Sequence, residues 1–335
     1  MKFYDDETYI KRLEGGQTMI NAQPLVSVGI PTYNRPEGLR RTLEGITKQT
    51  YRNLEVIVSD NCSPGVETEA VVREYMANDS RIQYFRQKEN IGSFFNFQFV
   101  QEKANGEYFM WAADDDDRAS DYVQTCLQGF QKSEQLVLVN TFSELIAPES
   151  GEVIKVDQGC TTIGLPAPIR YKRYLSSIFK EQAGVGDLIY GVIKRSALTK
   201  VTPIPNIISE DHILLARLAL EGEFYTIPQP LMRSRPGGLS SKGNKSLAKA
   251  HLIEGSLSER RPWWVREIYL QRTIQDSSNL SPAEKRQLSL WSYYNYMFKV
   301  APNQILDVVR GSFLGRSKRQ LEGRIRERLN KSNIQ

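Results

Sequence analysis

The sequence predicts an α/β fold in which a mostly parallel sheet is flanked by helices and followed by a helical C-terminal extension. Three observations predict it. In the first two-thirds of the 335 residues, short apolar runs rich in β-branched residues alternate with segments of helical periodicity. Strands separated by helices are typical of βαβ units, which form parallel sheets. Beyond Leu247 the strand-like runs stop, and only helical segments remain.

The predicted elements follow one another closely along the chain. Strands are expected over 25–30, 54–58, 82–85, 108–112 and 136–140, with helices over 37–49, 67–77, 93–104 and 119–131. A hairpin or loop over 144–162 is followed by a helix over 169–179, a strand over 187–193, a helix over 210–220 and a short strand over 224–227. The Gly-, Ser- and Lys-rich segment 235–245 predicts a loop. The chain therefore divides into an N-terminal arm over 1–23, an α/β domain over 24–240 and an extension over 241–335.

Composition limits the classes of protein and of metal site. A hydrophobic content of 40% and a charged content of 25% are ordinary for a soluble globular protein. No apolar run approaches the roughly 20 residues of a membrane span, and the polar first 23 residues lack the apolar stretch of a signal peptide. With three scattered cysteines and two histidines, any metal is expected to be hard and bound by oxygen. We therefore expect a cytoplasmic protein.

The net charge of +5 belongs to the C-terminal tail. Residues 310–331 contain eight basic and two acidic side chains, so the rest of the chain is close to neutral, and we expect no nucleic-acid partner. A stripe of Leu314, Leu321, Ile325 and Leu329 runs along this basic helix. The helix could lie on an anionic membrane, which would place the protein peripherally at the inner face of the membrane. Docking on its own protein is an equal alternative, and the oligomeric state stays open.

Polar residues follow three of the predicted strands. Residues 32–35 come after the first strand, Asp60 and Asn61 end the second, and residues 114–117 follow the fourth. In an open parallel sheet, ligands bind outside the carboxyl ends of the strands. The three sets are therefore expected at one edge of the sheet. Their occurrence together indicates a ligand site more strongly than any one set does alone.

The run of four aspartates from Asp114 to Asp117 carries the strongest signal. Adjacent carboxylates repel one another, and the repulsion raises their proton affinity unless a cation is present. Mg²⁺ typically takes one or two carboxylates, waters and phosphate oxygens. The alternative is a solvated acidic turn at the start of the next helix. Because the run follows a buried strand, we favour metal binding.

Asp60 and Asn61 are candidates for a nucleobase contact, since a carboxylate can accept a hydrogen bond from a base N–H group. An ordinary turn before the Ser-Pro-Gly sequence is the alternative. Arg35 and Arg86 could meet base or phosphate groups, because guanidinium suits phosphate oxygens, or they could be ordinary surface arginines.

The helix over 210–220 opens with Glu210 and Asp211, and Ser209 is expected as its N-cap. Asp211 shares a face with Leu214 and Leu218, so it points from the core side, where a carboxylate is costly unless it lines a cleft. The helix dipole would keep Asp211 ionised, as a general base requires. The position of Glu210 is explained by the favourable interaction of its negative charge with the helix dipole, whereas Asp211 is interpreted as the general base.

Taken together, these residues resemble the family 2 glycosyltransferases of the GT-A fold. The resemblance covers roughly residues 24–240 and rests on motifs that occur in the family's order. These motifs are Val26 to Arg35, Gln49 to Tyr51, Leu54 to Asn61, Asn90 to Gly92, Asn96, Gly106 to Tyr108, the aspartate run, Glu210 and Asp211 with Leu214, Arg217 and Gly222, and Arg233 to Ser240. The C-terminal third has no such match.

The resemblance implies an inverting transfer of sugar from a UDP-sugar, or a related nucleotide-sugar, to a hydroxyl of a glycan or lipid-linked acceptor. Residues 24–117 would form the donor half and 118–240 the acceptor half. The implied donor contacts are Pro31, Thr32, Tyr33, Asn34, Arg35, Asp60, Asn61, Asn90, Gly92, Asn96, Asp114, Asp115 and Arg235. Asp115 and Asp116 would hold Mn²⁺ or Mg²⁺, and Asp211 would deprotonate the acceptor hydroxyl. Glu210, Asp187 and Tyr190 would lie on the acceptor side.

Two other functions remain as alternatives. A sugar-1-phosphate nucleotidyltransferase shares the general fold and the metal, but it would usually carry a glycine-rich phosphate loop where this chain has Pro31 to Asn34. A non-catalytic module that binds nucleotides or a membrane surface would not need Asp115 or Asp211.

Overall fold

The computed structural model describes residues 23–114, 116–147, 150–179, 186–236 and 243–300. The predicted N-terminal arm (apart from its last residue), the basic tail helix and Asp115 lie outside these residues. Within them, no helix combines the length and the apolar character that crossing a membrane requires.

The first half of the chain alternates strands and helices. Its elements are β1 (Val26–Thr32), α1 (Pro36–Thr47), β2 (Leu54–Asp60), α2 (Glu67–Met76), β3 (Ile82–Arg86), α3 (Ser93–Glu102), β4 (Tyr108–Trp111), β5 (Asp117–Arg118) and α4 (Tyr122–Gly129). β1, β2 and β4 are buried along their whole length, as expected for strands covered by helices on both faces.

The second half completes the sheet and adds a helical layer. Its elements are β6 (Leu136–Ile146), β7 (Val153–Asp157), α5 (Ala167–Phe179), a 3₁₀ turn (Gly186–Tyr190), β8 (Val192–Lys194), α6 (Arg195–Val201), α7 (Glu210–Glu221), β9 (Glu223–Ser234), α8 (Asn244–Ala250), α9 (Leu257–Arg260), α10 (Pro262–Asp276) and α11 (Pro282–Asn295). A π-helical turn, Tyr296–Val300, follows α11.

The strands form one mixed sheet in the order β3-β2-β1-β4-β8-β6-β9-β5, with β7 added to β6. β3, β2, β1 and β4 are parallel to one another, whereas β8 runs antiparallel to both β4 and β6. β6 and β9 are parallel to each other, and β5 runs antiparallel to β9. The predicted mostly parallel sheet is therefore confirmed in its first half and is mixed in its second half.

The sheet separates two apolar cores. One contains Leu39 and Leu43 of α1 and Tyr122 of α4, and the other contains Leu214 and Leu218 of α7. Val265, Leu270 and Ile274 of α10 belong to the core around α7. The C-terminal helical layer is therefore packed into the α/β domain.

Three predicted elements differ from the structure. Segment 187–193 was predicted as one strand, but a 3₁₀ turn precedes the three-residue β8, which is held between β4 and β6. The helix predicted from 119 begins at Tyr122, because Asp117 and Arg118 pair with β9 as a strand. β9 continues from the predicted 224–227 to Ser234 because it pairs with β6 past two prolines, with shifts of register. In each case tertiary pairing overrides the local pattern.

Ser209 occupies the predicted N-cap position of α7, but its side chain does not cap the helix. Ser209 has a left-handed backbone with φ of 66°, and its side chain makes no capping hydrogen bond. An N-cap normally has an extended backbone that aims the side-chain oxygen at the first turn. The other end of α7 is capped by Arg170 of α5, whose Nε and Nη2 donate to the carbonyls of Ala219 and Leu220 at 2.8 and 3.1 Å.

We predict that Arg170→Met lowers the free energy of unfolding by about 2–4 kcal/mol, because buried carbonyls at the negative end of α7 lose their donors. Urea denaturation measures the change. Arg173→Met is the matched control, since the exposed Arg173 of the same helix donates only to the carbonyl of Thr161 among the described contacts. Equal losses in the two variants would contradict the capping role.

Candidate active site

The carboxyl ends of β1 and β2 meet at one edge of the sheet. Thr32 pairs with Asp60, and Gly29 of β1 pairs with Trp111 at the end of the adjacent β4. Gly29 also allows α3 to approach, since a Cβ there would lie 2.7 Å from the Val100 side chain. The polar sets that follow these strands are brought together, as the sequence predicted.

Asp114 is fixed by the residues that follow β1. Thr32 Oγ1 donates to Oδ2 of Asp114 at 2.8 Å, and Arg35 Nη1 lies 3.0 Å from Oδ1. Thr42 of α1 supports the same turn by donating to the carbonyl of Ala113. Asp114 is only 7% exposed, so its carboxylate is held in one orientation by a hydroxyl and a guanidinium.

The other described aspartates of the run take different directions. Asp116 is buried, whereas Asp117 begins β5 and pairs through its carboxylate with Arg235 Nη2 at 2.6 Å. No group of three or more His, Cys, Asp or Glu side chains suited to a metal occurs among the described residues. Oxygen donors from one or two carboxylates still fit a Mg²⁺-like ion whose shell is completed by substrate oxygens. They do not fit a closed metal site.

Asp60 is fully buried at the end of β2. Its Oδ1 accepts hydrogen bonds from the amide of Ser63 at 2.8 Å and from the hydroxyl of Ser63 at 2.5 Å. Its Oδ2 accepts from Tyr84 at 3.0 Å and from Arg86 at 3.3 Å. Burial and the adjacent carboxylate of Asp60 raise the pKa of Tyr84, which keeps the phenol a donor at neutral pH. In this conformation Asp60 orders its own loop, and its contact with a nucleobase stays a prediction.

A ladder of amide side chains orders the neighbouring loop. Asn61 Nδ2 donates to Asn90 Oδ1 at 2.9 Å, and Asn61 Oδ1 accepts from the amide of Ile91 at 2.9 Å. Asn90 Oδ1 also accepts from the amide of Gly92. Gly92 has φ of 86°, and a Cβ there would lie 3.3 Å from the backbone of His251. These amide contacts and the close approach of Gly92 therefore link the loop after β3 to the C-terminal helical layer.

Asn96 lies beneath this edge and is 2% exposed. Its amide group donates to the carbonyls of Ser59 and Thr32, at 3.0 and 3.4 Å, and its Oδ1 accepts from the Ser59 hydroxyl. Since these contacts use both ends of the amide, the structure places Asn96 as a brace between β1 and β2. Direct contact with a ligand would require these bonds to rearrange.

The segment from Pro31 to Arg35 runs from the buried end of β1 into accessible residues. Pro31 is buried within β1, whereas Tyr33 is 45% exposed. Asn34 has φ of 54°, and its amide donates to the hydroxyl of Ser63 at 2.7 Å. The exposed Tyr33 thus lies between Thr32 and Asn34, and the backbones of both neighbours bond to the loop after β2.

Glu210 and Asp211 open α7. Oδ1 of Asp211 accepts from the amide of His212 at 2.9 Å. Glu210 Oε1 lies 3.6 Å from His251 Nε2. Burial, together with the adjacent Asp211, raises the pKa of Glu210 well above its ordinary value. This shift favours the neutral form of Glu210.

A small apolar cavity of about 50 Å³ adjoins Asp211. Phe97, Trp111, Ile189 and Leu214 are among the side chains that line it. The cavity brings the end of β4, the 3₁₀ turn and the first turn of α7 together. Asp211 therefore faces a wall that excludes water on one side, where electrostatic interactions are stronger than in bulk solvent.

Asp187 and Tyr190 of the 3₁₀ turn lie between the two cores. Asp187 accepts a short hydrogen bond from the hydroxyl of Ser143 of β6, and burial raises its pKa. The Tyr190 ring is half-buried and packs against both cores, and its carbonyl accepts from the hydroxyl of Tyr122. Both predicted acceptor-side residues are thus held in place, but by neighbours that the sequence did not indicate.

Arg118 and Asp157 were missed by the sequence analysis. Register places Arg118, Met232, Ser143 and Asp157 in one row across β5, β9, β6 and β7, and paired residues project from the same face. Within the described part of the chain, Arg118 Nε and Nη1 and Asp157 Oδ2 are buried without a hydrogen-bond partner. No local motif marks them, since the row exists only once four strands have paired.

The chain is similar to known glycosyltransferases in sequence and to a solved structure in fold. A family model described as glycosyl transferase family 2 matches residues 27–159. A Campylobacter jejuni GalNAc(5)-diNAcBac-PP-undecaprenol β-1,3-glucosyltransferase is 27% identical over 203 residues, which are 60% of this chain and 62% of that protein. Chondroitin synthase from Escherichia coli is 32% identical over 142 residues, 42% of this chain and 20% of that protein. The chain thus spans less than two-thirds of these relatives.

The crystal structure of Staphylococcus aureus TarS 1–349 in complex with UDP shares the fold. It superposes with a TM-score of 0.58 at 14% identity, and the match covers 83% of this chain and 73% of that chain. The same TarS fragment in complex with UDP-GlcNAc superposes with a TM-score of 0.57. The chain therefore has the GT-A fold, and its residues 27–159 match the family 2 glycosyltransferases.

The buried Asp157 leads to a pH-dependent prediction. Burial raises its pKa to about 7, and the nearby Asp187 acts in the same direction. The folded protein therefore holds a proton that the unfolded chain loses near pH 4, so stability falls as pH rises from about 4 to 7. We expect Asp157→Asn to stabilise the fold by about 1–2 kcal/mol more at pH 8 than at pH 5, measured by urea denaturation.

Glu152→Gln is the control for this measurement, because Glu152 is an exposed carboxylate beside the same hairpin. A stabilisation by Asp157→Asn that is the same at both pH values would show that the raised pKa of Asp157 does not contribute.

Proposed function

We propose that the protein transfers a sugar from a nucleotide-sugar, with a UDP-sugar as the first candidate, to a hydroxyl of a glycan or lipid-linked glycan. One observation carries this proposal: Thr32 and Arg35 fix Asp114 at the edge where β1 and β4 end. These residues lie inside the segment that matches the family model. The TarS complexes with UDP and UDP-GlcNAc support the choice of donor, and the lipid-linked substrate in the name of the Campylobacter relative supports the acceptor class.

In this proposal the nucleoside lies over the loops after β1 and β2. The exposed ring of Tyr33 offers a face for the base, while the loop of Asp60 and Asn61 supplies its polar edge. Asp114, already oriented by Arg35, accepts hydrogen bonds from the ribose hydroxyls. Arg35 and Arg235 add positive charge near the diphosphate, which guanidinium groups suit.

Asp116, together with Asp115, would hold Mn²⁺ or Mg²⁺ beside the diphosphate. When bound, such an ion acts as a Lewis acid that neutralises charge on the leaving nucleotide. The residues fit this assignment because hard oxygen ligands are present while a closed protein shell is not. Asp117 is the less suitable member of the run, since it pairs with Arg235.

Asp211 is proposed to act as the general base. It removes the proton of the acceptor hydroxyl as that oxygen bonds to the anomeric carbon, while the bond from this carbon to the diphosphate oxygen breaks. A single displacement of this kind inverts the configuration at the anomeric carbon. Because its raised pKa favours the neutral form, Glu210 competes less than Asp211 for this proton. The apolar wall beside Asp211 limits the access of water.

We propose that the hydroxyl groups of the bound sugars form hydrogen bonds with the row of Arg118, Ser143 and Asp157. Asp187 and Tyr190 of the 3₁₀ turn are proposed to take part in the same contacts. Two of these side chains carry buried polar atoms without partners in the described structure, and such atoms are costly unless a ligand or water satisfies them. A mixture of carboxyl, guanidinium and hydroxyl groups suits polyhydroxyl ligands. The glycine-rich phosphate loop of a nucleotidyltransferase is absent after β1, which disfavours that alternative.

We predict that UDP binds in the presence of Mn²⁺ and that Asp116→Asn weakens this binding at least about tenfold, because one anionic ligand of the ion is lost. Isothermal titration calorimetry with Mn²⁺, and with EDTA in its place, measures the difference. Asp121→Asn is the matched control, since it removes an exposed carboxylate at the start of α4. Equal UDP affinity with and without Mn²⁺ would refute the proposed metal role.

We predict that Asp211→Asn reduces the turnover number about 10²- to 10⁴-fold, because the isosteric amide cannot accept the proton. The assay is release of UDP from a panel of UDP-sugars in the presence of glycan acceptors. UDP affinity should change less than about twofold, since the donor half is untouched. Glu221→Gln, at the other end of α7, should keep wild-type turnover. Full turnover in Asp211→Asn would exclude it as the base.

A further inference from the structure

Arg266 of α10 is a fully buried cation next to the proposed base. It is 2% exposed, and its guanidinium carbon lies 3.9 Å from the centre of the Trp263 ring. Burial lowers its pKa to about 10, so it remains protonated at neutral pH. A buried charge of this kind is costly and needs specific partners. The contact that Arg266 makes with α7 therefore indicates the role of this buried charge.

The partner on α7 is His212, the residue after Asp211. Arg266 Nη1 lies 3.1 Å from His212 Nδ1. A guanidinium can only donate, so Nδ1 must accept, and the proton of the neutral imidazole must be on Nε2. Burial lowers the pKa of His212, which is consistent with a neutral ring. The contact thus specifies the position and the tautomer of His212.

His212 in turn contacts Asp211 through its backbone. The backbone amide of His212 donates to Oδ1 of Asp211 at 2.9 Å. Because Ser209 does not cap α7 with its side chain, the first turn of the helix lacks that usual anchor. Arg266 therefore fixes, through one side chain and one amide, the carboxylate that the proposed reaction uses.

The segment before α7 is also held by the C-terminal layer. Ser258 Oγ of α9 accepts from the amide of Ile208 at 2.8 Å, and Asn206 Nδ2 donates to the carbonyl of His251 at 3.2 Å. The His251 ring faces Glu210. These contacts come from residues beyond the segment 27–159 that matches the family model.

We propose that Arg266, acting through His212, is a positioning residue that orients Asp211 for removal of the acceptor proton. This inference rests on the proposed role of Asp211. It assigns the C-terminal helical layer a part in the reaction rather than in folding alone. Arg266 itself touches neither substrate, so its loss should affect turnover and spare the affinity for UDP.

The test compares four variants of the full chain. His212→Leu removes the acceptor of the Arg266 bond, whereas His212→Asn keeps an acceptor oxygen close to the position of Nδ1. Arg266→Met removes the charge at similar length, and Arg272→Met changes an exposed arginine of the same helix as the control. For each variant we would measure turnover and KM in the UDP-release assay, UDP affinity by calorimetry and the thermal midpoint.

We expect His212→Leu and Arg266→Met to lower turnover about 10- to 100-fold, as small misplacements of a catalytic group can do. UDP affinity should stay within about twofold of wild type. His212→Asn should recover most of the turnover, and Arg272→Met should behave as wild type. A purely structural role predicts instead that both His212 variants lose thermal stability and activity in parallel.

Two results would overturn the inference. One is unchanged turnover in Arg266→Met while Asp211→Asn is inactive, which would leave the proposed base intact and reject only its positioning. The other is independent of activity: ¹⁵N NMR of the His212 ring in the wild-type protein should show an unprotonated Nδ1, and a protonated Nδ1 would contradict the Arg266 contact. Wild-type turnover in Asp211→Asn would instead mark a failure of the proposed function.

Discussion

The site depends on how Asp114 is held by Thr32 and Arg35. This contact joins the end of β1 to the turn after β4, so the two parallel strands deliver their polar residues as one surface. The hydroxyl and the guanidinium satisfy a nearly buried carboxylate that would otherwise be costly to keep ionised. Asp117, three residues after Asp114, begins β5 and pairs with Arg235. The parallel half of the fold is thus the scaffold for the charged half of the site.

The sequence predicted which polar residues meet at the edge formed by β1, β2 and β4, because each set directly follows its own strand. Thr32, Asp60 and Asp114 each follow a short apolar run, and the rule that ligands lie at the carboxyl ends of parallel strands brings them together without further information. The first four strands and three helices were predicted within a few residues for the same reason, since each has its own apolar pattern.

The second half was harder to predict because its geometry comes from pairing between distant segments. Asp117 and Arg118 look like the start of a helix, yet they form a strand because β9 lies beside them. Asp157 and Ser143 are ordinary residues of a hairpin until register places them in a row with Arg118. Arg266 and His212 are 54 positions apart, and nothing local to either residue predicts that they touch. Such contacts depend on tertiary packing, which a single sequence pattern does not encode.

The close approach of Gly92 to His251 limits where the chain can be truncated or joined to parts of a relative. Gly92, a left-handed glycine just before α3, lies against backbone atoms at the end of α8, and side chains of α10 complete the core around α7. A truncation at residue 240 would remove α10 and expose that core to solvent. A chimaera that exchanges only residues 27–159 with a relative would place a foreign loop against His251. The helical layer and the sheet should therefore be transplanted as a single cooperative unit.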